Sequence, residues 1–183
     1  MIAIRQERPC EAQAREDLLD RAYGPERFSK TSQHLRAGRA PAAGLSFVAH
    51  ERGRLVGSVQ LWDVAAGPGR PALLLGPLAV EADVRGRGIG GRLIRRALAD
   101  AGRRGHRAVI LVGDAAYYAR FGFSAAGTAL LFMPGAFDRR RLLGCELVAG
   151  ALDGAFGLIS ATGRRAKPPR AGKFVNSGAA RAA

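Results

Sequence analysis

A glycine-rich turn between an apolar segment and an amphipathic segment constrains this chain more than any other feature. The turn is Arg85-Gly86-Arg87-Gly88-Ile89-Gly90. The apolar residues 73–80 before it predict a strand. From about residue 91 to residue 104, apolar residues recur at steps of three and four with arginines opposite, which predicts a helix. The chain must therefore pass directly from a strand through a tight turn into a helix.

This turn has the properties of an anion site. The first N–H groups of a helix have no intrahelical partner, and the helix dipole favours negative charge at that end. Glycine allows the backbone to approach phosphate oxygens because no Cβ interferes. We therefore predict that residues 85–91 bind a pyrophosphate group, with the Arg87 side chain directed either to a phosphate or to solvent.

The spacing excludes two common nucleotide motifs. No Gly-Lys-Ser/Thr follows the glycines, as the P-loop requires. The glycine order also differs from the dinucleotide fingerprint, and a repeating βαβ pattern is missing from the sequence. A glycine-rich turn alone remains compatible with an ordinary tight turn, so a second motif is needed.

The second motif follows the next predicted strand, Val109-Ile110-Leu111-Val112. Arg85-x-x-Gly88-x-Gly90, directly after a strand ending in Leu-Ala-Val, resembles the acetyl-CoA-binding motif of the GNAT N-acetyltransferase superfamily. Tyr118-x-x-x-Gly122-Phe123 resembles its second signature, and residues 55–59 resemble its third strand. The similarity covers about residues 2–132. It implies an α/β fold with a central, mixed, mostly antiparallel twisted sheet and helices on both faces.

The resemblance also implies an activity and a set of site residues. An acetyl group would pass from acetyl-CoA, as co-substrate, to a primary amine of a small molecule or protein by direct attack. The strand near Val80 would supply a main-chain donor to the oxyanion. Tyr118 would be the catalytic acid that protonates the leaving thiolate, since a phenol with a pKa near 10 is protonated at neutral pH. The implied cofactor-binding residues are Leu78, Ala79, Val80, Arg85, Gly86, Arg87, Gly88, Ile89, Gly90, Gly91, Asp114, Tyr117 and Phe121.

Three details of the site stay open at this point. Asp114 stands near a position where many members have Asn, and the segment from Asp114 to Gly122 is shorter than in the common pattern. Tyr117 and Tyr118 are about 100° apart on a helix, so only one can face the thioester. The candidates for the base that deprotonates the amine are not separated by any spacing rule: Glu51, Asp63, Glu81 and Asp83.

Further elements are predicted from the pattern of apolar residues and breakers. The segment 24–44, which would border the acceptor in the resembling fold, is irregular except for a short helix near residues 32–37. Order is expected to decrease beyond Gly150. The remaining predicted elements are a strand at 2–6, a helix at 9–23, a hairpin of 45–50 and 54–64, and strands at 129–133 and 142–148.

Length and composition favour a cytoplasmic bacterial protein without a metal. The 183 residues fit one catalytic domain at 1–150 followed by an extension at 151–183. Two cysteines form neither a disulfide framework nor a metal cluster. No apolar run is long enough to cross a membrane, and no secretory signal is visible. The abundance of Arg, Ala and Gly suggests a GC-rich bacterial genome.

The net charge of +14 raises the alternative of a nucleic-acid-associated protein. Six of the cationic residues lie in 164–183, which contains no acidic residue and reads as a flexible tail. This distribution argues against nucleic acid as the main partner. A non-catalytic acyl-CoA-binding module is the other alternative, and a homodimer is compatible with the resemblance.

Overall fold

The computed structural model describes residues 1–166 as eight strands and four helices, joined by turns and short 3-10 segments. The strands are β1 (Ile2–Gln6), β2 (Ser46–Glu51), β3 (Arg54–Ala66), β4 (Pro71–Val80), β5 (Ala108–Val112), β6 (Leu130–Phe132), β7 (Leu142–Glu146) and β8 (Phe156–Ala161). The helices are α1 (Ala12–Tyr23), α2 (Thr31–His34), α3 (Ile89–Arg103) and α4 (Ala115–Ala119).

The strands form one mixed, mostly antiparallel sheet, as predicted. Its order is β1-β2-β3-β4-β5-β7, and β8 pairs with both β3 and β6. Only the β4–β5 and β6–β8 pairs are parallel. The parallel β4–β5 pair requires a crossover, which α3 provides on leaving the glycine-rich turn.

Helices cover both faces of the sheet, which confirms the predicted architecture. Successive residues of β2 point to opposite faces. Phe47 belongs to the buried cluster that contains Leu93 of α3. Its neighbour Val48 packs instead with Leu18 and Leu19 of α1.

An irregularity in β4 separates it from β5. Gly76 and Pro77 together stand opposite the single residue Gln60 of β3, and the indole N–H of Trp62 donates to the Gly76 carbonyl at 2.7 Å. Such a bulge bends the strand that carries it. The β4–β5 ladder accordingly includes only Leu73 and Leu74 of β4. The residues of β4 after the bulge therefore leave a gap beside β5.

The structure corrects several predicted boundaries. The helix predicted from residue 9 begins as a 3-10 turn at Pro9–Glu11 before α1, and the short helix lies at Thr31–His34. The expected loss of order beyond Gly150 is wrong for β8, which pairs with both β3 and β6 and whose Ile159 is fully buried. Glycines around this strand concealed it in the sequence. Most of the predicted flexible tail lies outside the described residues.

The contribution of β8 to the fold can be measured with two neighbouring leucine-sized side chains. Ile159 is 0% exposed and Leu158 is 55% exposed. We predict that Ile159→Ala lowers the free energy of unfolding by about 2–5 kcal/mol. Leu158→Ala is expected to change it by no more than about 0.5 kcal/mol. Equal, small effects in denaturant titrations would contradict the pairing of β8 with the sheet.

Candidate functional site

A cavity of about 520 Å³ lies at the N-terminus of α3, and we call it the glycine cavity. It brings together ten of the predicted cofactor-binding residues with three others. Its lining residues are Leu78, Val80, Val84, Arg85, Gly86, Gly88, Ile89, Gly90, Gly91, Arg95, Tyr117, Arg120 and Phe121.

The backbone of the turn requires glycine at two of these positions. Gly86 and Gly88 have φ values of 78° and 72°, in the left-handed region that side chains disfavour. Gly88 is the N-cap of α3, and no side chain caps the first turn. The N–H groups at this helix end are therefore available to an anion.

Two further glycines preserve space between α3 and the aromatic residues of α4. A Cβ on Gly90 would lie 3.0 Å from the Tyr117 hydroxyl oxygen. A Cβ on Gly91 would lie 3.4 Å from Cζ of Phe121. Larger residues at these positions would fill the cavity, so the glycines maintain a space that a phosphate group fits.

Cations surround this space. Arg85, Arg95 and Arg120 line the glycine cavity, and no carboxylate does. The guanidinium of Arg120 lies 4.1 Å from the centre of the Tyr117 ring, and that of Arg95 lies 5.2 Å from the Phe121 ring centre. Arg95 and Arg120 were not among the predicted site residues. Arg95 could have been found, because it lies one helical turn after Gly91 on the same face of α3. The field in the cavity therefore favours a polyanion.

Arg87 has a different role from either of the two predicted ones. Its guanidinium donates to both carboxylate oxygens of Glu51, at 2.9 and 2.6 Å, and its side chain does not line the cavity. This hydrogen bonding lowers the pKa of the Glu51 carboxyl. The Arg87 side chain thus attaches the turn to the β2–β3 hairpin, and Arg87 is not among the residues that line the glycine cavity.

The main chain of β4 presents polar groups to the gap beyond the bulge. The Leu78 carbonyl accepts the Tyr23 hydroxyl, and the Val80 carbonyl accepts Nε of Arg85 at 3.2 Å. Because N–H and C=O of one strand residue point to the same side, the amides of Leu78 and Val80 also face this gap. Ala79 points its main chain toward Ser58 of β3 and buries its side chain against α1. Of the three predicted strand residues, only Leu78 and Val80 thus face the gap.

A second cavity, of about 230 Å³, lies beside the bulge and also includes Leu78. We call it the Tyr118 cavity. Its lining residues are Tyr23, Arg27, Lys30, Ser32, Arg36, Leu74, Leu75, Gly76, Pro77, Leu78, Val112, Gly113, Asp114, Tyr118 and Arg141. Leu78 lines both cavities, so the two lie next to each other along β4.

Tyr117 and Tyr118 face different cavities. Their ring centres are 4.9 Å apart at an interplanar angle of 81°, and Tyr117 lines the glycine cavity while Tyr118 lines the other. Burial, together with the proximity of Tyr23 and Tyr117, raises the pKa of Tyr118. The Tyr118 hydroxyl therefore holds its proton throughout the neutral range.

Asp114, which the resemblance implies to be a cofactor-binding residue, does not line the glycine cavity. Its Oδ1 accepts the main-chain N–H of Tyr117 at 2.8 Å, which caps α4. Asp114 lines the Tyr118 cavity, where it is the only carboxylate among the lining residues. Its position thus fixes the start of α4 and the orientation of both tyrosines.

The four candidates for a base lie elsewhere. Glu51 binds Arg87, Glu81 binds Arg21, and Asp83 binds Arg54. Neither these three residues nor Asp63 lines the glycine cavity or the Tyr118 cavity. Spacing in the sequence carried no signal that separated them from Asp114.

Two other classes of site were sought within residues 1–166. In this part of the chain, no three His, Cys, Asp or Glu side chains are grouped as a metal site would require. None of the helices described there has both the length and the apolar character needed to cross a membrane.

The sequence is similar to one protein family and to individual members of it. Residues 42–125 match the acetyltransferase (GNAT) domain family. The chain is 32% identical over 126 residues to the uncharacterised N-acetyltransferase YhbS of Escherichia coli K12, and this match covers 68% of this chain and 75% of YhbS. It is also 34% identical over 111 residues to the uncharacterised N-acetyltransferase YjhQ of the same organism, and this match covers 58% of this chain and 61% of YjhQ.

Two solved structures are similar in fold and sequence. The E. coli YhbS structure in complex with CoA has a TM-score of 0.73 and 30% identity, over 87% of this chain and 89% of that one. A GNAT family acetyltransferase from Brucella melitensis in complex with acetyl-CoA has a TM-score of 0.58 and 35% identity, over 68% of this chain and 83% of that one.

The raised pKa of Tyr118 predicts a specific pH titration. We expect the difference in phenolate absorbance between the wild type and Tyr118→Phe to have its midpoint above pH 10, the usual value for tyrosine. The measurement is a spectrophotometric titration of both proteins, with circular dichroism to confirm that each remains folded. A difference midpoint at or below pH 10 would contradict the buried, protonated hydroxyl.

Proposed function

The chain belongs to the GNAT family of acetyltransferases, and we propose that it transfers the acetyl group of acetyl-CoA to a primary amine. One observation carries this proposal: Leu78, beside the gap that the bulge opens, lines both the glycine cavity and the Tyr118 cavity. An anion site, open strand amides and a protonated hydroxyl are thus next to one another.

The glycine cavity supplies the groups that bind the co-substrate. The main chain at Gly86, Gly88 and Gly90 directs N–H groups toward the diphosphate, and Arg95 and Arg120 add positive charge. The cavity is lined by aromatic and small residues beside these cations, which suits an elongated polyanion with an apolar arm.

The open edge of β4 positions the reacting carbonyl. When bound, the thioester supplies an acyl carbon that an amine attacks directly, so that the C–N bond forms as the C–S bond breaks. The amides of Leu78 and Val80 face the gap and can donate to the carbonyl oxygen as it gains negative charge. These donors are part of the sheet and need no reorganisation during the reaction.

Tyr118 and Asp114 handle protons on the acceptor side. Tyr118 keeps a proton on its hydroxyl oxygen and donates it to the leaving sulfur, after which solvent restores the proton. Asp114 is the carboxylate available in this cavity to take the proton of the attacking amine, directly or through water. Tyr117 binds on the co-substrate side and takes no part in proton transfer.

Three broader expectations stay predictions. They are the division into a catalytic domain at 1–150 and an extension at 151–183, the location in the bacterial cytoplasm, and the partners. Among the partners, nucleic acid is not expected, and a homodimer is compatible with the family. Non-catalytic acyl-CoA binding on the same fold is the alternative that the kinetic test below decides.

Substitution within α3 tests co-substrate binding. We predict that Gly90→Ala weakens binding of CoA by about 10- to 100-fold, because the methyl group separates the anion from its main-chain donors. Gly102→Ala is the matched control in the same helix, where a Cβ meets nothing within 4 Å. Gly102→Ala is expected to gain up to about 1 kcal/mol in helix stability, and Gly90→Ala to gain less because its methyl group crowds the Tyr117 hydroxyl. Isothermal titration calorimetry giving equal CoA affinity for both variants would contradict the site.

A pair of tyrosine variants tests catalysis. We predict that Tyr118→Phe lowers kcat by about 100-fold or more while CoA affinity is unchanged. Tyr117→Phe is expected to raise KM for acetyl-CoA with little change in kcat, since its hydroxyl lies at Gly90. Thiol release is measured against a panel of amines. A wild type that binds CoA and acetylates no amine would show that the chain is a binding module.

A further inference from the structure

Cationic side chains dominate the Tyr118 cavity, although this is the side on which an amine must enter. Arg27, Lys30, Arg36 and Arg141 line the cavity, against the single carboxylate of Asp114. An ammonium group brought into such a field is repelled unless the same molecule also carries negative charge.

Only one of these four cations is paired with carboxylates. Arg27 donates to Glu16 at 2.7 Å and to Asp20 at 2.8 Å. Within residues 1–166, neither Lys30, Arg36 nor Arg141 forms an ion pair. Three positive charges of the cavity are therefore not held in an ion pair within the described part of the chain.

Arg36 is the most unusual of the three. Its side chain is partly buried, and its one hydrogen bond runs from Nε to the Ser32 carbonyl at 3.2 Å. Burial and the adjacent Arg27 charge lower the pKa of Arg36 to about 10. A desolvated guanidinium without a carboxylate is unfavourable on its own, and a bidentate anion would satisfy its free N–H groups.

We propose that the Tyr118 cavity binds an acceptor amine that also carries an oxyanion, either a carboxylate or a phosphate, and that Arg36 binds this oxyanion. The inference rests on the proposed function, because it names the substrate class of that same site. Lys30 and Arg141 add to the attraction. Arg141 reaches across to the Gly113 carbonyl at 3.4 Å, next to the Tyr118 ring.

The size of the cavity limits the acceptor. About 230 Å³ is less than the roughly 300–1,000 Å³ of sites for drug-sized ligands. Arg36 and Tyr118 line the same small cavity, so a compact molecule can place its oxyanion at the first and its amine near the second. Polyamines and other purely cationic acceptors are disfavoured by the same charges.

The substrate class is tested with matched pairs of amines. The pairs are the common amino acids against their C-terminal amides, β-alanine against propylamine, and O-phosphoethanolamine against ethanolamine. We expect the anionic member of at least one pair to have a kcat/KM about 10-fold or more above its neutral partner. The carboxylate and phosphate pairs show which oxyanion is preferred. Equal rates within every pair, or transfer to none of these amines, would overturn the inference.

Two arginine neighbours provide the matched variants. Arg141 lines the cavity, whereas Arg140 is 91% exposed and pairs with Asp138. We expect Arg36→Gln to raise KM for the preferred anionic amine by about 10- to 100-fold and Arg141→Gln to raise it less. Arg36→Lys should restore part of the affinity, and Arg140→Gln should leave KM unchanged.

Stability and binding separate this inference from its alternatives. Removal of an unpaired, partly buried charge should not lower the melting temperature, so Arg36→Gln is expected to be at least as stable as the wild type. A less stable Arg36→Gln with unchanged KM would show a structural role and overturn the inference.

If the wild type does not bind CoA, the proposed function fails. Calorimetry with the same amines still reports whether Arg36→Gln alters binding of the anionic members.

Discussion

The bulge at Gly76 and Pro77 is the constraint on which the site depends. A continuous parallel ladder between β4 and β5 would satisfy the strand amides within the sheet. The bulge sets two residues against Gln60 and ends the ladder after Leu74, so the rest of β4 runs beside an open gap. Proline could not have donated to that ladder in any case. The main-chain N–H groups of Leu78 and Val80 thereby lie outside the β4–β5 ladder.

The end of β4 then leads into the glycine turn, so strand edge and helix N-terminus are joined by a few residues. The Arg87–Glu51 ion pair attaches the turn to the β2–β3 hairpin. Asp114 caps α4 and sets Tyr117 toward the glycine cavity and Tyr118 toward the other. Two adjacent tyrosines of one short helix therefore line different cavities, and we propose that one binds the co-substrate while the other donates a proton.

Local features were predictable and distant contacts were not. The strand, turn and α3 were read from residues 73–104 because their signals lie within one stretch of sequence, and the resemblance supplied Tyr118. Gly76 and Pro77 inside the apolar run could have indicated the bulge, because both residues are disfavoured within a regular strand. The interior of the Tyr118 cavity could not be predicted. Its cations come from Arg27, Lys30 and Arg36 in an irregular segment and from Arg141 after β6, residues that only the tertiary fold brings together.

The central claim is that main-chain amides at the start of α3 bind the diphosphate of CoA. Its most direct measurement is a ¹H–¹⁵N correlation spectrum of the labelled protein during titration with CoA. We expect the amide resonances of Gly86, Gly88 and Gly90 to shift the most, and in proportion to occupancy. Resonances of the turn that stay fixed while CoA binds, with shifts confined to residues around the Tyr118 cavity, would contradict it.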